Sequence, residues 1–346
     1  MRIGLTYNLK PSKPLSADDP IDRYEEFDSE ETVDAVARAL GSGGHHVERL
    51  GWGPALLDAL TCAGDLDGVF NFAEGVGGRG RESQVPAILE MLGIPNTGSD
   101  PVALALALDK GVAKLHAAVH GIPTAPFVLV GADEPIGAVD LRYPLFAKPV
   151  AEGSSMGIRE TSVCRTPDEL RGLVGQLQAD YGQSVLIEEF LPGAEYTVGI
   201  VGNGAAAEVL GVMQVLPRQP TGADFVYSLE VKRDFRNRVV YVMTDELLAT
   251  GAVTPAGLTA IRALALAAHR VFGCRDVSRV DIRCDRDGAP NFLEINPLPG
   301  LNPLSSDLVI MARGHGWTYE QLIGRIIDAA SGRWGQRASL SPCAPA

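Results

Sequence analysis

The sequence is short of several things, and each shortage removes a class of function. It has five cysteines in 346 residues, Cys62, Cys164, Cys274, Cys284 and Cys343, with no CxxC pair and no histidine-rich spacing. An odd, dispersed set of this kind argues against a zinc module or a disulfide framework and reads as reduced thiols. Positive charge is in deficit. There are 30 Lys and Arg against 43 Asp and Glu, a net charge of -13, which argues against a general affinity for nucleic acid or anionic membranes. Long apolar runs are missing, and the longest, Val102 to Leu108, is too short to cross a bilayer. No secretory hydrophobic segment precedes the strand-like run Arg2-Ile3-Gly4-Leu5-Thr6-Tyr7. The expectation is a cytoplasmic protein with small-molecule partners and no nucleic-acid or membrane partner.

What is present is ample core material. Apolar residues make up 46% of the chain, enough at this length for two or three packed subdomains. The N-terminal third alternates strand and helix signals, which predicts an open, mainly parallel sheet. A strand over residues 2–7 leads into a polar loop, roughly 8–27, longer than most connections in compact domains. Asp28-Ser29-Glu30-Glu31 has the form of a capping box with Asp28 at N-cap and Glu31 at N3. It opens a helix that buries Val33, Val36, Ala37 and Leu40 and stops at a glycine cluster. Strands follow at 46–50 and 68–72, with helices at 55–60 and 84–92. One helix is predicted over 103–119, and Pro123 and Pro126 then mark the start of a second lobe. Strands at 125–130 and 143–149, a helix at 168–181, and two strands flanking Leu191-Pro192-Gly193 come next, continuing as antiparallel sheet to residue 215. The charged stretch 217–239 has the length of a lid or a disordered segment. An amphipathic helix at 254–272 and a last helix at 319–330 precede a Ser/Pro/Ala-rich tail expected to be disordered.

Four segments carry chemistry. Residues 278–296 alternate apolar and polar around a turn at Asp285-Arg286-Asp287-Gly288, the pattern of a half-buried hairpin. Its polar face carries Arg279, Asp281, Glu294 and Asn296. Two carboxylates and an amide oxygen are hard ligands suited to Mg²⁺ held partly by phosphates, and a neighbouring arginine can stabilise oxyanion charge. The same face also fits an ordinary solvated acidic hairpin. Lys148-Pro149 followed by Glu152-Gly153-Ser154-Ser155-Met156-Gly157 reads as a phosphate-binding strand and loop, or as a plain turn. Asn71 to Glu82 is a Gly-rich strand-to-helix turn holding Glu74, either a ligand cradle or merely conformational. Glu188, Glu189 and Glu195 sit on strands whose acids either face solvent or face a ligand.

Taken together these segments resemble the ATP-grasp superfamily, and within it the D-alanine–D-alanine ligases. The resemblance runs from Arg2 to about Ile326. It is carried by Leu92-Gly93-Ile94-Pro95-Asn96-Thr97-Gly98-Ser99, Asp109-Lys110, Lys148-Pro149 with its serine loop, Glu188 to Glu195, and Arg279-x-Asp281 … Glu294-x-Asn296-x-x-Pro299-Gly300. It implies a three-lobed α/β architecture: an N-terminal α/β unit over 1–100, a central ATP-grasp subdomain over 101–200, a C-terminal one over 201–335, and the tail 336–346. It further implies ATP between two antiparallel sheets with two Mg²⁺ ions, for which Mn²⁺ can substitute, and a homodimer. Lys110, Lys148, Ser154 and Ser155 would hold the phosphates, with Lys232 reaching them when a lid shuts. Glu188 and the backbone of Leu191 would read the adenine, and Glu195 the ribose. Asp281, Glu294 and Asn296 would bind metal, and Arg279 and the Gly300 N–H would stabilise a tetrahedral oxyanion. Arg279, Glu74, Ser305 and Ser306 would meet the substrates. The implied reaction phosphorylates a carboxylate and passes the acyl group to an amine.

Departures from the family concern substrate rather than ATP. Ala73-Glu74-Gly75 stands where the family has a His-Gly pair, and Arg233 replaces the aromatic residue after the lid lysine. Phe27 aligns with the family's amine-binding glutamate, with Glu26 one residue off, and Leu301-Asn302-Pro303-Leu304-Ser305-Ser306 replaces its usual Met-Thr-Ser-His-Ser-Leu. Four functions compete on this basis: a ligase of altered substrate, a true D-alanine–D-alanine ligase, a non-catalytic ATP-binding protein, and an ATP-grasp kinase that releases a stable phosphoester.

Overall fold

The computed structural model describes residues 1–11, 19–219 and 225–334; the predicted tail lies outside them. The first strand is apolar enough to be buried on both faces, as parallel strands are. β1 (Arg2–Tyr7) runs parallel to β2 (His46–Arg49) and β3 (Gly68–Phe72) in the order β2-β1-β3. With α1 (Glu30–Ser42), α2 (Ala55–Ala63) and α3 (Gln84–Met91) this is the expected N-terminal parallel sheet. One detail differs. The N-cap of α1 is Ser29, whose Oγ accepts the Thr32 N–H, and not Asp28. Both residues are good caps, and the cap falls to Ser29 because Asp28 bridges back to Leu9, with its N–H donated to the Asn8 carbonyl.

The single helix expected over 103–119 is two, α4 (Pro101–Leu108) and α5 (Lys110–Val119). Asp109 breaks it. Its backbone is extended (ψ 102°) and its carboxylate caps α5 through the Val112 N–H at 3.0 Å. The Leu/Ala run gave no sign of the break, which turns Lys110 and Lys114 inward.

Two antiparallel sheets follow. β4 (Phe127–Val130), β5 (Leu145–Pro149), β6 (Val163–Cys164) and β7 (Val185–Glu189) form one, in the order β4-β7-β5-β6, backed by α6 (Pro167–Tyr181). β8 (Glu195–Val201), β9 (Glu208–Pro217), β10 (Val239–Met243), β11 (Val277–Cys284) and β12 (Pro290–Asn296) form the other, in the order β10-β9-β8-β11-β12. The strands flanking Leu191-Pro192-Gly193 therefore do not continue one sheet; the turn carries the chain from one sheet to the other. It is fixed by the Gly193 N–H on the Cys284 carbonyl and by Arg283 on the Leu191 carbonyl. The charged stretch before β10 holds α7 (Leu229–Arg233) and α8 (Phe235–Arg238), with α9 (Thr244–Ala249) just after the strand; residues 220–224 of that stretch lie outside the described set.

The larger sheet is covered on both faces. Val198, Ile200, Val212 and Val280 pack on Leu258, Ile261 and Ala265 of α10 (Pro255–Val271). The other face, through Val201, Leu210 and Met213, joins α11 (Asp307–Gly314) and α12 (Tyr319–Trp334), and α12 packs in turn on Ile3, Leu5 and Val36 of the N-terminal unit. Among the described residues no helix is long and apolar enough to cross a membrane.

Asp276 locks these units together. It is fully buried with φ at 64°, and its carboxylate accepts from Arg333 (2.5 and 2.8 Å), the Gly98 N–H (2.8 Å) and Asn203 Nδ2 (2.9 Å). Removing one partner of a buried charged network costs about 3 kcal/mol or more. Asp276→Ala is expected to lower the thermal unfolding temperature clearly, with loosening of α12 visible as faster amide exchange there. An unchanged melting profile contradicts the assignment.

Candidate functional site

The β11–β12 hairpin places Arg279 opposite Asn296 and Asp281 opposite Glu294, so the four predicted residues do share a face. Arg279 donates to Asp281 Oδ2 at 2.9 Å and lies 4.0 Å from Glu294 and 3.8 Å from Asp307. Burial works against its charge, but these three acids outweigh it and hold it firmly protonated. Burial would likewise raise Glu294, yet Lys110, Lys148, Arg279 and Lys232 pull it down to about 2. Asp281 is raised, by burial and by Glu294 against the pull of Arg279.

The facing wall comes from the broken helix and the smaller sheet. Lys110 Nζ reaches Glu294 at 3.5 Å and donates to the Glu152 carbonyl. Glu188, on β7, bridges Lys114 (2.7 Å) and Lys148 (3.0 Å), all three nearly solvent-free. The two lysines overcome the burial penalty and hold Glu188 at about 2, while burial pulls Lys114 down and the nearby carboxylates keep Lys148 up. Past Lys148 the chain turns through Ser154 and Ser155, both left-handed (φ 47° and 58°), a conformation costing about 1–2 kcal/mol per non-glycine residue. Outside bonds hold it: the Gly157 N–H and Arg159 donate to Asp22, and Ser155 Oγ to the Tyr227 carbonyl.

Two adjoining cavities, about 420 and 90 Å³, lie between these walls and share Tyr227, Lys232, Glu294 and Asp307. The smaller is a slot lined by Phe146, Phe190 and Val226, with Lys148, Ser155, Glu188, Leu191, Glu195 and Asp281 along it. The larger carries Glu74, Lys110, Ser154, Arg279, Asn296 and Gly300, and its rim has Ser305 and Ser306. Every predicted site residue thus reaches one cavity or both. Lys232, on α7, lies 5.1 Å above the Tyr227 ring between them. Among the described residues the Gly300 N–H makes no hydrogen bond, and a Cβ there would crowd Ser306 Oγ at 2.9 Å.

A metal fits this donor set. Among the described residues no group of three or more His, Cys, Asp or Glu forms a closed cage. The pair Asp281 and Glu294 with the Asn296 amide is instead an open, hard-oxygen set, of the kind Mg²⁺ completes with phosphates and water.

Sequence reasoning missed several residues. Lys114 follows Lys110 by four on one helix face, a readable like-charge pair. Arg283, which pairs with Glu195 at 2.8 Å and stacks 4.4 Å over Phe190, continues the Arg279, Asp281 alternation. Arg81 and Glu82 belong to the Gly-rich turn already read as a candidate ligand cradle; Asp22 carried no periodic signal.

Residues 117–328 match the family model "D-ala D-ala ligase C-terminus". A D-alanine–D-alanine ligase of Cupriavidus taiwanensis is 35% identical over 305 residues, covering 86% of this chain and 85% of the relative. The chain belongs to the D-alanine–D-alanine ligase family. An uncharacterized protein of Sinorhizobium fredii is 32% identical over 321 residues, with 87% and 88% covered. The fold is that of the D-alanine–D-alanine ligase of Bacillus anthracis, at 21% identity and TM-score 0.72 over 97% of this chain and 99% of that one; its complex with ATP gives 0.70. The chain is therefore an ATP-dependent ligase of the ATP-grasp type, and the larger cavity is where the family's departures gather. Arg233, in place of an aromatic residue, pairs with Glu25 of the N-terminal loop at 2.7 Å.

The electrostatics predict a pH profile. Burial and Glu26 push Glu82 up to about 8, and burial pushes Asp28 up to about 7. A carboxyl that keeps its proton only when folded favours the fold at low pH and loses that contribution as pH rises through its folded pKa. Glu188 and Glu294 act the other way, contributing above their unfolded value near 4.5 and losing it toward 2. The ligand-free protein is expected to melt highest between about pH 5 and 6 and lower toward pH 8.5, with Glu82→Gln flattening the alkaline limb. A melting temperature that does not change between pH 6 and 8.5 contradicts this.

Proposed function

We propose that this enzyme joins a carboxylate substrate to an amine through an acylphosphate, and that its substrates differ from a pair of D-alanines. The observation that carries the reading is the convergence of Lys110, Lys148, Lys232 and Arg279 on Glu294, opposite Asp281, at the junction of an apolar slot and a polar cavity. Nucleotide enters the slot with adenine near Phe146, Phe190 and the Leu191 backbone, and with ribose at Glu195. Glu188 is committed to two lysines and so orients Lys148 toward the phosphates, with Lys110 beside them. Asp281, Glu294 and Asn296 would hold the divalent cations, which when bound supply charge neutralisation at the phosphoryl group.

A substrate carboxylate oxygen attacks the γ-phosphorus and ADP leaves. Lys110, Lys148 and Lys232 balance the equatorial charge, and the Ser154 loop closes over the phosphates. The amine then attacks the acyl carbon, Arg279 and the Gly300 N–H stabilise the oxyanion, and phosphate departs with the former carboxylate oxygen. Water would destroy the acylphosphate, so α7 and the N-terminal loop exclude it.

The Arg233–Glu25 pair, Glu74 in place of the family's histidine, and the Asn302–Ser306 bond at 2.8 Å all favour altered substrates. A second reading, a true D-alanine–D-alanine ligase, is favoured by the relatives' likeness over most of the chain. ADP release with Mg²⁺-ATP across amino acids, singly and in pairs, decides between them. Turnover with D-alanine alone supports the second reading, and turnover only with an unlike pair supports the first. Glu294→Gln is expected to lower turnover by about 100-fold or more with the fold retained. An active variant, or one that fails to fold, contradicts the metal-ligand role.

A further inference from the structure

Four residues line both cavities, Tyr227, Lys232, Glu294 and Asp307, and the reaction above leaves Asp307, the second carboxylate of the four, without a task. It is the first residue of α11 and 8% exposed. An acid suits the first turn of a helix, which accounts for the residue type but not for its aim. Asp307 Oδ1 accepts the Tyr227 hydroxyl at 3.2 Å, and that hydroxyl lies 2.7 Å from the Tyr241 hydroxyl. Burial, Asp307 and Tyr241 hold Tyr227 well above the ordinary tyrosine range, so it keeps its proton and fixes the carboxylate as a donor.

Oδ2 is differently placed. It makes no hydrogen bond among the described residues and faces Arg279 Nη1 at 3.8 Å, its one ion-pair partner there. Arg279 spends Nε and Nη2 on Asp281, at 3.2 and 2.9 Å, and Nη1 likewise makes no hydrogen bond among them. A donor and an acceptor thus confront one another across a gap too wide for a hydrogen bond. When an amine adds to an acyl carbon, the intermediate carries an oxyanion and an N–H group about 2.3 Å apart on that carbon. Place the oxygen on Nη1 and the nitrogen on Oδ2, with hydrogen bonds of about 2.9 Å at each end. The four atoms then close a quadrilateral whose last side is the 3.8 Å gap. The other shared residues fit the proton less well: Tyr227 is a donor, Lys232 a cation, and Glu294 is held at about 2 by the cations around it.

Resting on the ligase reading above, we propose that Asp307 is the general base of the second step, the attack of the amine on the acylphosphate. The nitrogen lone pair forms the C–N bond as the carbonyl π electrons move onto the oxygen at Arg279 Nη1. The N–H proton passes to Asp307 Oδ2. Collapse re-forms the carbonyl and breaks the acyl C–O bond, and phosphate leaves with that electron pair. The departing phosphate takes the proton from Asp307, which returns to its starting state.

The test compares two nucleophiles. With Mg²⁺-ATP, the amino acids of the panel above are offered singly with hydroxylamine, followed as hydroxamate, and then in pairs, followed as amide. Hydroxylamine is weakly basic, and its nitrogen, once bonded to carbon, gives its proton to water, whereas an α-amine holds its proton until a base removes it. Asp307→Asn still accepts from Tyr227. It is expected to lower kcat for the amide by about 100-fold or more, the ordinary worth of a general base, and kcat for the hydroxamate by less than about 10-fold. Asp307→Gly is expected to show the same split, and formate, which fits the space left by the side chain, to restore part of its amide formation. Equal losses for both products make Asp307 a support for Arg279 rather than a base and overturn the proposal. An undiminished amide rate, or formate without effect on the glycine variant, overturns it too, and each of these results leaves the ligase reading standing. No hydroxamate from any donor with the unsubstituted enzyme overturns the ligase reading itself.

Discussion

Opposite charges can be buried in this protein only where they are buried together, and Glu294 is where that constraint is met. It lies across a strand pair from Asp281, 3.5 Å from Lys110, within the field of Lys148, Lys232 and Arg279. Each neighbour comes from a different element: a broken helix, the smaller sheet, the short helix α7 and the hairpin itself. Remove the carboxylate and these cations lose the counter-charge they share, with Asp281 and Asp307 left beside Arg279 and Glu188 beside Lys148. The cleft is therefore an electrostatic joint between units as much as a ligand site, and it gives those units a defined spacing. Glu188, between Lys114 and Lys148, repeats the solution a few ångströms away and fixes the direction in which Lys148 points.

Closure follows from the same logic carried to the surface. Asp22, in the N-terminal loop, is fully buried by the serine loop and by Tyr181, whose hydroxyl donates to it at 2.8 Å. Glu25, three residues on, holds α7 through Arg233. A segment from the start of the chain thus pins both the serine loop and the helix that carries Lys232. Two ion pairs connect three regions distant in sequence, so the cavity has walls held by charge pairs that can separate.

What was legible in the sequence follows from local periodicity. On β11 and β12 a strict alternation puts Arg279, Asp281, Glu294 and Asn296 on one face, and the structure keeps that face. The parallel N-terminal sheet was likewise readable, because strand and helix signals alternate there. What escaped has partners far along the chain. Lys114 looks like any helical lysine until β7 brings Glu188 against it. The break at Asp109 hid inside a run of strong helix formers, and it became a cap because its carboxylate could satisfy Val112 and pair with Arg79 at 2.6 Å. Asp28 and Ser29 are equally good caps on paper; a strand-like bridge to Leu9 decided between them.

The central claim is that one oxygen of a substrate carboxylate is transferred to phosphate as the amide forms. Turnover of a donor amino acid labelled with ¹⁸O in its carboxylate, followed by mass spectrometry of the released phosphate, tests it directly. The account predicts one labelled oxygen in phosphate for each ADP formed. Unlabelled phosphate would mean that ATP is hydrolysed, or its phosphoryl group passed elsewhere, and would contradict the acylphosphate route.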